Sequence, residues 1–382
     1  MSFLERERSA LERLLPGLDD TLADYGTVAL EQPGSRGPAL FKEAGGPGLL
    51  VPGEHGGRGA DAVAAARCTR ALASRSPSLA VAATMHNFSV ASLVALGERS
   101  DGFAWMLIDA IAHEHLLMSS AFAEGRSGQN ILRPAMRAER AANGWVVSGS
   151  KRPCSLSRSM DLITASIALP RDDGEHDLGI AVIPATQPGI SVRPFWNSPV
   201  LTGAESDEVI LDRVPVEDEL IVRPDLNDAS RAGDLQAIGL IWFSLLVGAS
   251  YIGAASALAQ RLLDAGRGSA DIRAEVCWSL DTAMFAIERV ALDVDAGRHG
   301  NEELAMALSA RYGAQQIIGR ATSLAVEALG GMSFISQPDV ACLAATTHAA
   351  AFHPPSRSSL ADAFGDYFLG GPLRLDAEKG NR

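Results

Sequence analysis

The feature that most constrains this chain is a double change of hydrophobic period. From residue 1 to about 115, apolar residues return every three or four positions, as in Leu11, Leu14, Leu15 and Leu18 and again from Ala62 to Leu96. That spacing predicts helices broken by Gly/Pro-rich turns. Between roughly 116 and 225 the period shortens. Gly144-Trp-Val-Val-Ser-Gly-Ser150, Leu162–Ile167, Leu178–Pro184, Ile190–Val192 and Glu208–Asp212 are short, β-branched segments with turn residues between them, the pattern of a compact β domain. From about 230 helical periodicity returns in four Ala- and Leu-rich stretches, 235–264, 270–296, 302–329 and 338–351. The expectation is a mainly α protein with a central β domain. Its parts are an N-terminal helical domain (1–115), a β-barrel or sandwich (116–228) and a C-terminal four-helix bundle (229–382).

Charge narrows the function. The 382 residues hold 33 Lys+Arg against 46 Asp+Glu, a net −13, and no basic run, which argues against a nucleic-acid partner. Lysine occurs only at 42, 151 and 379, so the cations are almost all arginines, suited to bidentate contacts with carboxylates. The first fifteen residues are charged from Glu5 onward and carry no signal-peptide core, so a cytoplasmic protein is expected. Leu235 to Gln260 contains no charge, yet its Ser244, Ser250 and Tyr251 fit a buried bundle helix better than a membrane span. Cys68, Cys154, Cys277 and Cys342 lack metal or disulfide spacing. His113 and His115 flank Glu114 on different faces of a helix end, so no metal site is expected.

Five segments, in order, resemble the acyl-CoA dehydrogenase superfamily. They are Val51-Pro-Gly-Glu-His-Gly-Gly-Arg-Gly-Ala-Asp61, Met118–Asn130, Gly144–Lys151, Leu211-Asp-Arg-Val-Pro-Val216 and Leu329-Gly-Gly-Met-Ser-Phe334. The resemblance implies an enzyme that holds FAD between the β domain and the bundle, acts on an acyl thioester, and forms a homotetramer or homodimer. By position, Phe122, Ala123, Gly128 and Gln129 would line the FAD segment, and Cys154 and Ser155 would lie against the flavin ring. Gly330 and Gly331 would approach the cofactor, from a neighbouring subunit, and Arg267 is the candidate replacement for the family's phosphate-binding arginine. Two departures stand out. Ala123 replaces a family threonine, and Pro153-Cys154-Ser155 replaces a segment that carries a tryptophan.

The family's proton-abstracting glutamate is missing from both of its usual places. The stretch after the last long helix reads Ala351-Phe-His-Pro-Pro-Ser-Arg-Ser358, with Ser356 near the usual position, and Leu240–Val247 on the first bundle helix carries no acid. A serine hydroxyl cannot remove a carbon-bound proton unaided. Two chemistries survive: oxidation at a hydroxyl-bearing carbon, with a histidine taking the oxygen-bound proton, and reaction of reduced flavin with oxygen. Pro153–Ser157, Gly203–Asp207 and His353–Arg357 resemble a biosynthetic branch that oxidises glyceryl or seryl units on acyl carrier proteins. On that reading His353 is the base, Ser356 its neighbour and Arg357 the substrate-carboxylate site. Alternatives are an acyl-CoA dehydrogenase with a relocated base, or a flavin-free scaffold. For single residues the plainer expectations are a core position for His86, a packed thiol at Cys154, and solvated turns for Glu205 and Asp207. Since carrier proteins are usually acidic too, docking one calls for a local arginine cluster.

Overall fold

The computed structural model describes residues 2–99, 103–125, 134–223 and 229–375. Seven helices come first: α1 (Glu5–Leu14), α2 (Leu18–Tyr25), α3 (Thr27–Leu30), α4 (Gly37–Glu43), α5 (Ala62–Arg75), α6 (Pro77–Gly97) and α7 (Phe103–His113). The strands are β1 (Met118–Ala121), β2 (Arg137–Ala141), β3 (Gly144–Cys154), β4 (Leu162–Pro170), β5 (His176–Pro184), β6 (Ile190–Arg193), β7 (Asp207–Val216) and β8 (Ile221–Val222). The chain then returns to helix: α8 (Ala229–Asp264), α9 (Ala270–Asp295), α10 (Asn301–Leu329), α11 (Gly331–Ser336), α12 (Pro338–Thr347) and α13 (Ala361–Phe368).

Local chemistry explains the boundaries. Asp61 caps α5 by accepting from the Ala64 amide, and Ser76 caps α6 through the Leu79 amide, with Pro77 at the first helical position. In the turn before α5 a Cβ on Gly57 would stand 2.0 Å from the Val51 carbonyl oxygen, so only glycine fits there. The strands form one mixed sheet in the order β6-β7-β3-β2-β4-β5-β8, with β1 paired in parallel to β4. Both faces of β4 are buried, which is why Leu162–Leu169 reads as an unbroken low-polarity run rather than an alternation.

Two hydrophobic clusters result. The smaller lies within the sheet, around Val147, Ile163, Ile167 and Val209. The larger joins α5 and α6 to α8, α9 and α10, so the N-terminal helices and the C-terminal bundle share one core although the β region separates them in sequence. Helices α6 and α8 are long and apolar enough to cross a membrane, but 67% and 78% of their most apolar windows are buried against protein. Thr84 of α6 meets Ser250 of α8 through their hydroxyls at 3.1 Å. Lys42 and Asp161 (2.7 Å) tie α4 to the start of β4.

Candidate active site

The site grows from four elements that meet beside the larger core. Phe88 of α6 lies 6.3 Å from Phe122, just past β1, and 5.4 Å from Phe243 of α8, measured between ring centroids. Phe243 in turn stands edge-on to His353, in the segment after α12, at 6.0 Å. The two places where the acyl-CoA dehydrogenase pattern puts its glutamate therefore converge in space, and what they bring together is a phenylalanine and a histidine.

Behind these rings lies a polar trio. The buried Tyr251 hydroxyl shares a 2.6 Å hydrogen bond with His353 Nε2, in which either atom can donate. Arg311 of α10 is 4% exposed and donates to the carbonyls of His353 and, at 3.4 Å, Pro354. Its guanidinium carbon sits 5.4 Å over the Phe243 ring. Arg311 Nε has no hydrogen-bond partner, and the arginine makes no ion pair with any described carboxylate. Tyr312 completes the anchoring of the segment by donating to the Pro355 carbonyl at 2.8 Å.

The electrostatics follow from enclosure. Desolvation, then the nearby Arg311 charge, hold the half-buried His353 imidazole down at about 3. Burial pushes the Tyr251 phenol up. Burial also lowers the Arg311 guanidinium to about 10, which leaves it charged at neutral pH. A ring held near 3 takes up no proton at pH 7, which argues against the base role expected of His353 and for a neutral hydrogen-bonding one. Replacing Tyr251→Phe leaves His353 Nε2 without its partner; urea unfolding should show a loss of about 1–3 kcal/mol.

The other expected residues scatter. The Ser356 hydroxyl faces Ser358 (3.2 Å) and the Ser359 amide (3.2 Å), within its own turn. Arg357 is exposed and lines an open groove with Tyr312, Phe364 and Phe368. Arg267 is exposed in the α8–α9 turn. Gly330 caps α10 and Gly331 opens α11, and a Cβ on either would meet nothing within 4 Å, so within one chain nothing presses on them. Gly128 and Gln129 lie outside the described residues. Cys154 is enclosed in the sheet core, its thiol pushed up to about 12 by burial and donating to the Lys151 carbonyl, so it is an inert packed group with no surface to offer a flavin. Ser155 is 8% exposed and shares a 3.0 Å hydrogen bond with Ser206.

Glu205 and Asp207, expected in solvated turns, are both buried. Glu205 accepts from Ser159 (2.9 Å), and Asp207 accepts from the Arg158 guanidinium and the Phe195 amide (each 2.9 Å), because this turn packs under the β3–β4 connection. Several arginines sit against carboxylates. Arg75, Arg158 and Arg261 pair with Asp19, Asp207 and Asp339, Arg6 and Arg67 share Glu288, and Arg152 and Arg193 share Glu208. Tyr251 and Arg311 escaped sequence reasoning. Their only signal was a tyrosine inside the charge-free run and one of the two arginines, with Arg320, in the Ala- and Leu-rich stretch of α10.

A flavin can be tested against these residues. Phe122 and Ala123 are partly exposed beside Phe88, and an apolar edge of that kind suits a flat aromatic ring. Directly after them the Glu124 carboxylate is pinned by Lys151 Nζ at 2.6 Å, which holds this edge against the sheet.

No family model matches the chain. It is 44% identical, over 98% of its length and 100% of the relative's, to isobutylamine N-hydroxylase of Streptomyces viridifaciens. It is 23% identical, over 87% of its length and 88% of the other's, to acyl-CoA dehydrogenase FadE12 of Mycobacterium tuberculosis. Among solved structures it resembles KijD3 in complex with FMN and a dTDP-linked 3-amino sugar. There the TM-score is 0.79 at 20% identity, covering 98% of this chain and 96% of that one.

Proposed function

The chain belongs to the acyl-CoA dehydrogenase superfamily, and from that premise we propose that it hydroxylates the nitrogen of a small primary amine. It is a flavin-dependent oxidoreductase, with FAD the flavin of the family pattern. The observation that carries the proposal is the convergence of Phe243 and His353 with no carboxylate in contact among the described residues. Desaturating a thioester needs a base beside the α-carbon, and the described residues of this site provide none. The 44% relative, named for isobutylamine, supports the amine as substrate class.

Reduced flavin, when bound, supplies the two electrons that activate oxygen. In the overall reaction the amine, O2 and reduced flavin give the hydroxylamine, water and oxidised flavin: one N–O bond forms and the O–O bond breaks. The chain's own residues do the rest. Phe88, Phe122 and Phe243 group their rings, and on this reading they would form the apolar wall that takes a short alkyl group. Tyr251 and neutral His353 offer hydrogen bonds at its polar end. Phe122 and Ala123 would flank the flavin ring. A neighbouring subunit in a dimer or tetramer would cover the exposed Met332, Phe334 and Ile335 that follow Gly331.

The competing substrate is a carrier-protein or CoA thioester held by Arg357. Supplied with FAD, a flavin-reducing system and air, the full-length protein should convert isobutylamine to its hydroxylamine, detected by mass spectrometry. Oxidised enzyme should not bleach anaerobically with butyryl-CoA or glyceryl-carrier protein. Bleaching by either thioester, with no hydroxylamine formed, rejects the proposal.

A further inference from the structure

The most unusual group among the described residues is a buried arginine with no described anion beside it. Arg311 is 4% exposed, its Nη atoms reach only main-chain carbonyls, and its Nε is unpartnered. Elsewhere the buried cations have acids: Arg70 has Glu7 at 3.0 Å and Lys151 has Glu124 at 2.6 Å. Carbonyl dipoles satisfy hydrogen bonds but leave the full charge in place. The ionisable groups that face Arg311 are Tyr251 from α8, Tyr312 from α10 and His353 from the following segment, all uncharged at neutral pH. Phe88 of α6 and Phe122 past β1 join this cluster through Phe243, and neither ionises. His86, also on α6, is committed elsewhere, to the Pro47 carbonyl and the Met118 amide.

We propose that Arg311 is the residue that makes the site select the uncharged form of its amine, by repelling the ammonium form from the aromatic pocket. The inference rests on the amine reading above and adds the chemical state in which the substrate is taken. An alkylamine, like a lysine side chain, has a pKa of roughly 10.4, so at neutral pH nearly all of it is ammonium, with no lone pair to form an N–O bond. A site that bound both forms alike would fill with the unreactive one. Two like charges about 6 Å apart at an effective dielectric of about 20 disfavour each other by on the order of a hundredfold, which cuts the roughly 2,500-fold excess of ammonium at pH 7 to about 25-fold and gives the free amine the larger share above about pH 8.4. Because Arg311 stays protonated up to about pH 10, the discrimination persists across the working range.

The test uses the full-length protein saturated with oxidised FAD and no reductant, so that no turnover occurs. Calorimetric dissociation constants are measured from pH 6 to 9.5 for isobutylamine and for isobutanol, its neutral counterpart of the same shape. In the wild type the alcohol should bind equally at every pH, while the amine constant should stay nearly level to about pH 8 and then tighten by roughly tenfold by pH 9.5. In Arg311→Gln, which keeps a donor for the His353 carbonyl, the alcohol should be unchanged and the amine at pH 6 should bind at least tenfold tighter than in the wild type. Arg311→Lys, which keeps the charge, should restore the wild-type slope. Arg311→Met takes the place of the glutamine variant if that one does not fold. An amine constant independent of pH in the wild type, with both ligands bound, overturns the selection and leaves the N-hydroxylation reading standing. A lysine variant that behaves like the glutamine one assigns the effect to anchoring of the segment, and also overturns it. If neither ligand binds the wild type, the amine reading fails first and this inference with it.

Discussion

Lys151→Met should lower the unfolding free energy by roughly 3–5 kcal/mol, the range for removing one partner of a buried ion pair. Lys151 is fully buried, and its Nζ donates to Glu124 Oε1 at 2.6 Å and to Ser166 Oγ at 2.9 Å. Burial lowers the lysine's pKa, and the hydrogen bond to Glu124 works against that. Take the ammonium away and the Glu124 carboxylate, 5% exposed, keeps only a fraction of its compensation, the Ala135 amide at 2.7 Å among it. Its cheapest responses are to take up a proton or to pull Phe122 and Ala123 away from the sheet. Flavin affinity should therefore fall with stability. Guanidinium unfolding and FAD titration would measure the two together. The double variant Lys151→Met, Glu124→Leu should regain at least half of the lost stability, because the uncompensated charge is gone. A single variant within about 1 kcal/mol of wild type would show that water already solvates the pair.

The second large effect is acid sensitivity. His86 is fully buried, accepts the Met118 amide at Nδ1 (3.0 Å) and donates from Nε2 to the Pro47 carbonyl (2.9 Å). Desolvation holds it down at about 4. Above about pH 6.5 both folded and unfolded chains keep this ring neutral, and the contribution is intact. As pH falls from 6.5 towards 4, only the unfolded chain takes up the proton, so stability is lost progressively, by about 3 kcal/mol at the bottom of that window. His353, lower still, adds a loss of the same sign over a window that reaches about pH 3. Glu31 and Glu205 oppose this: burial raises both, so the folded chain holds their protons more readily than the unfolded one as pH drops. The diagnostic quantity is therefore the difference between wild type and His86→Gln. Unfolding free energies at pH 7.5 and 4.5 should show a shallower acid loss for the variant by about 2–3 kcal/mol. Parallel curves for the two proteins would remove His86 as a source.

Much of the site's outline was legible in the chain. Val51–Asp61 and Leu329–Phe334 mark turns whose form is set by glycines, and the missing acids at 240–247 and 351–358 disfavoured thioester desaturation before any geometry was known. His353 was legible as a candidate because it stands where the acyl-CoA dehydrogenase pattern calls for chemistry. Its basicity was not, since that depends on Arg311 and on how completely Phe243 and Tyr251 enclose the ring. Arg357 attracted attention through its place beside Ser356, yet the chain turns it outward. Glu205 and Asp207 misled for a related reason: a short acidic stretch before a strand has the composition of a solvated turn, and only the packing of the β3–β4 connection over it makes it interior.

What the linear sequence determined, then, was the order of helical and strand periods, the family, and the chemistry that two key stretches lack. Periodicity carries this information because each helix or strand must show one apolar face whatever it packs against. Which polar residue on such a face becomes enclosed was decided by the tertiary structure alone. Tyr251, Arg311 and His353 come from three separate segments, and the Tyr251–His353 hydrogen bond spans 102 positions. Burial and charge pairing belong to that meeting point, where a lone arginine that looked like one of many becomes the one buried cation, among those described, answered only by carbonyls.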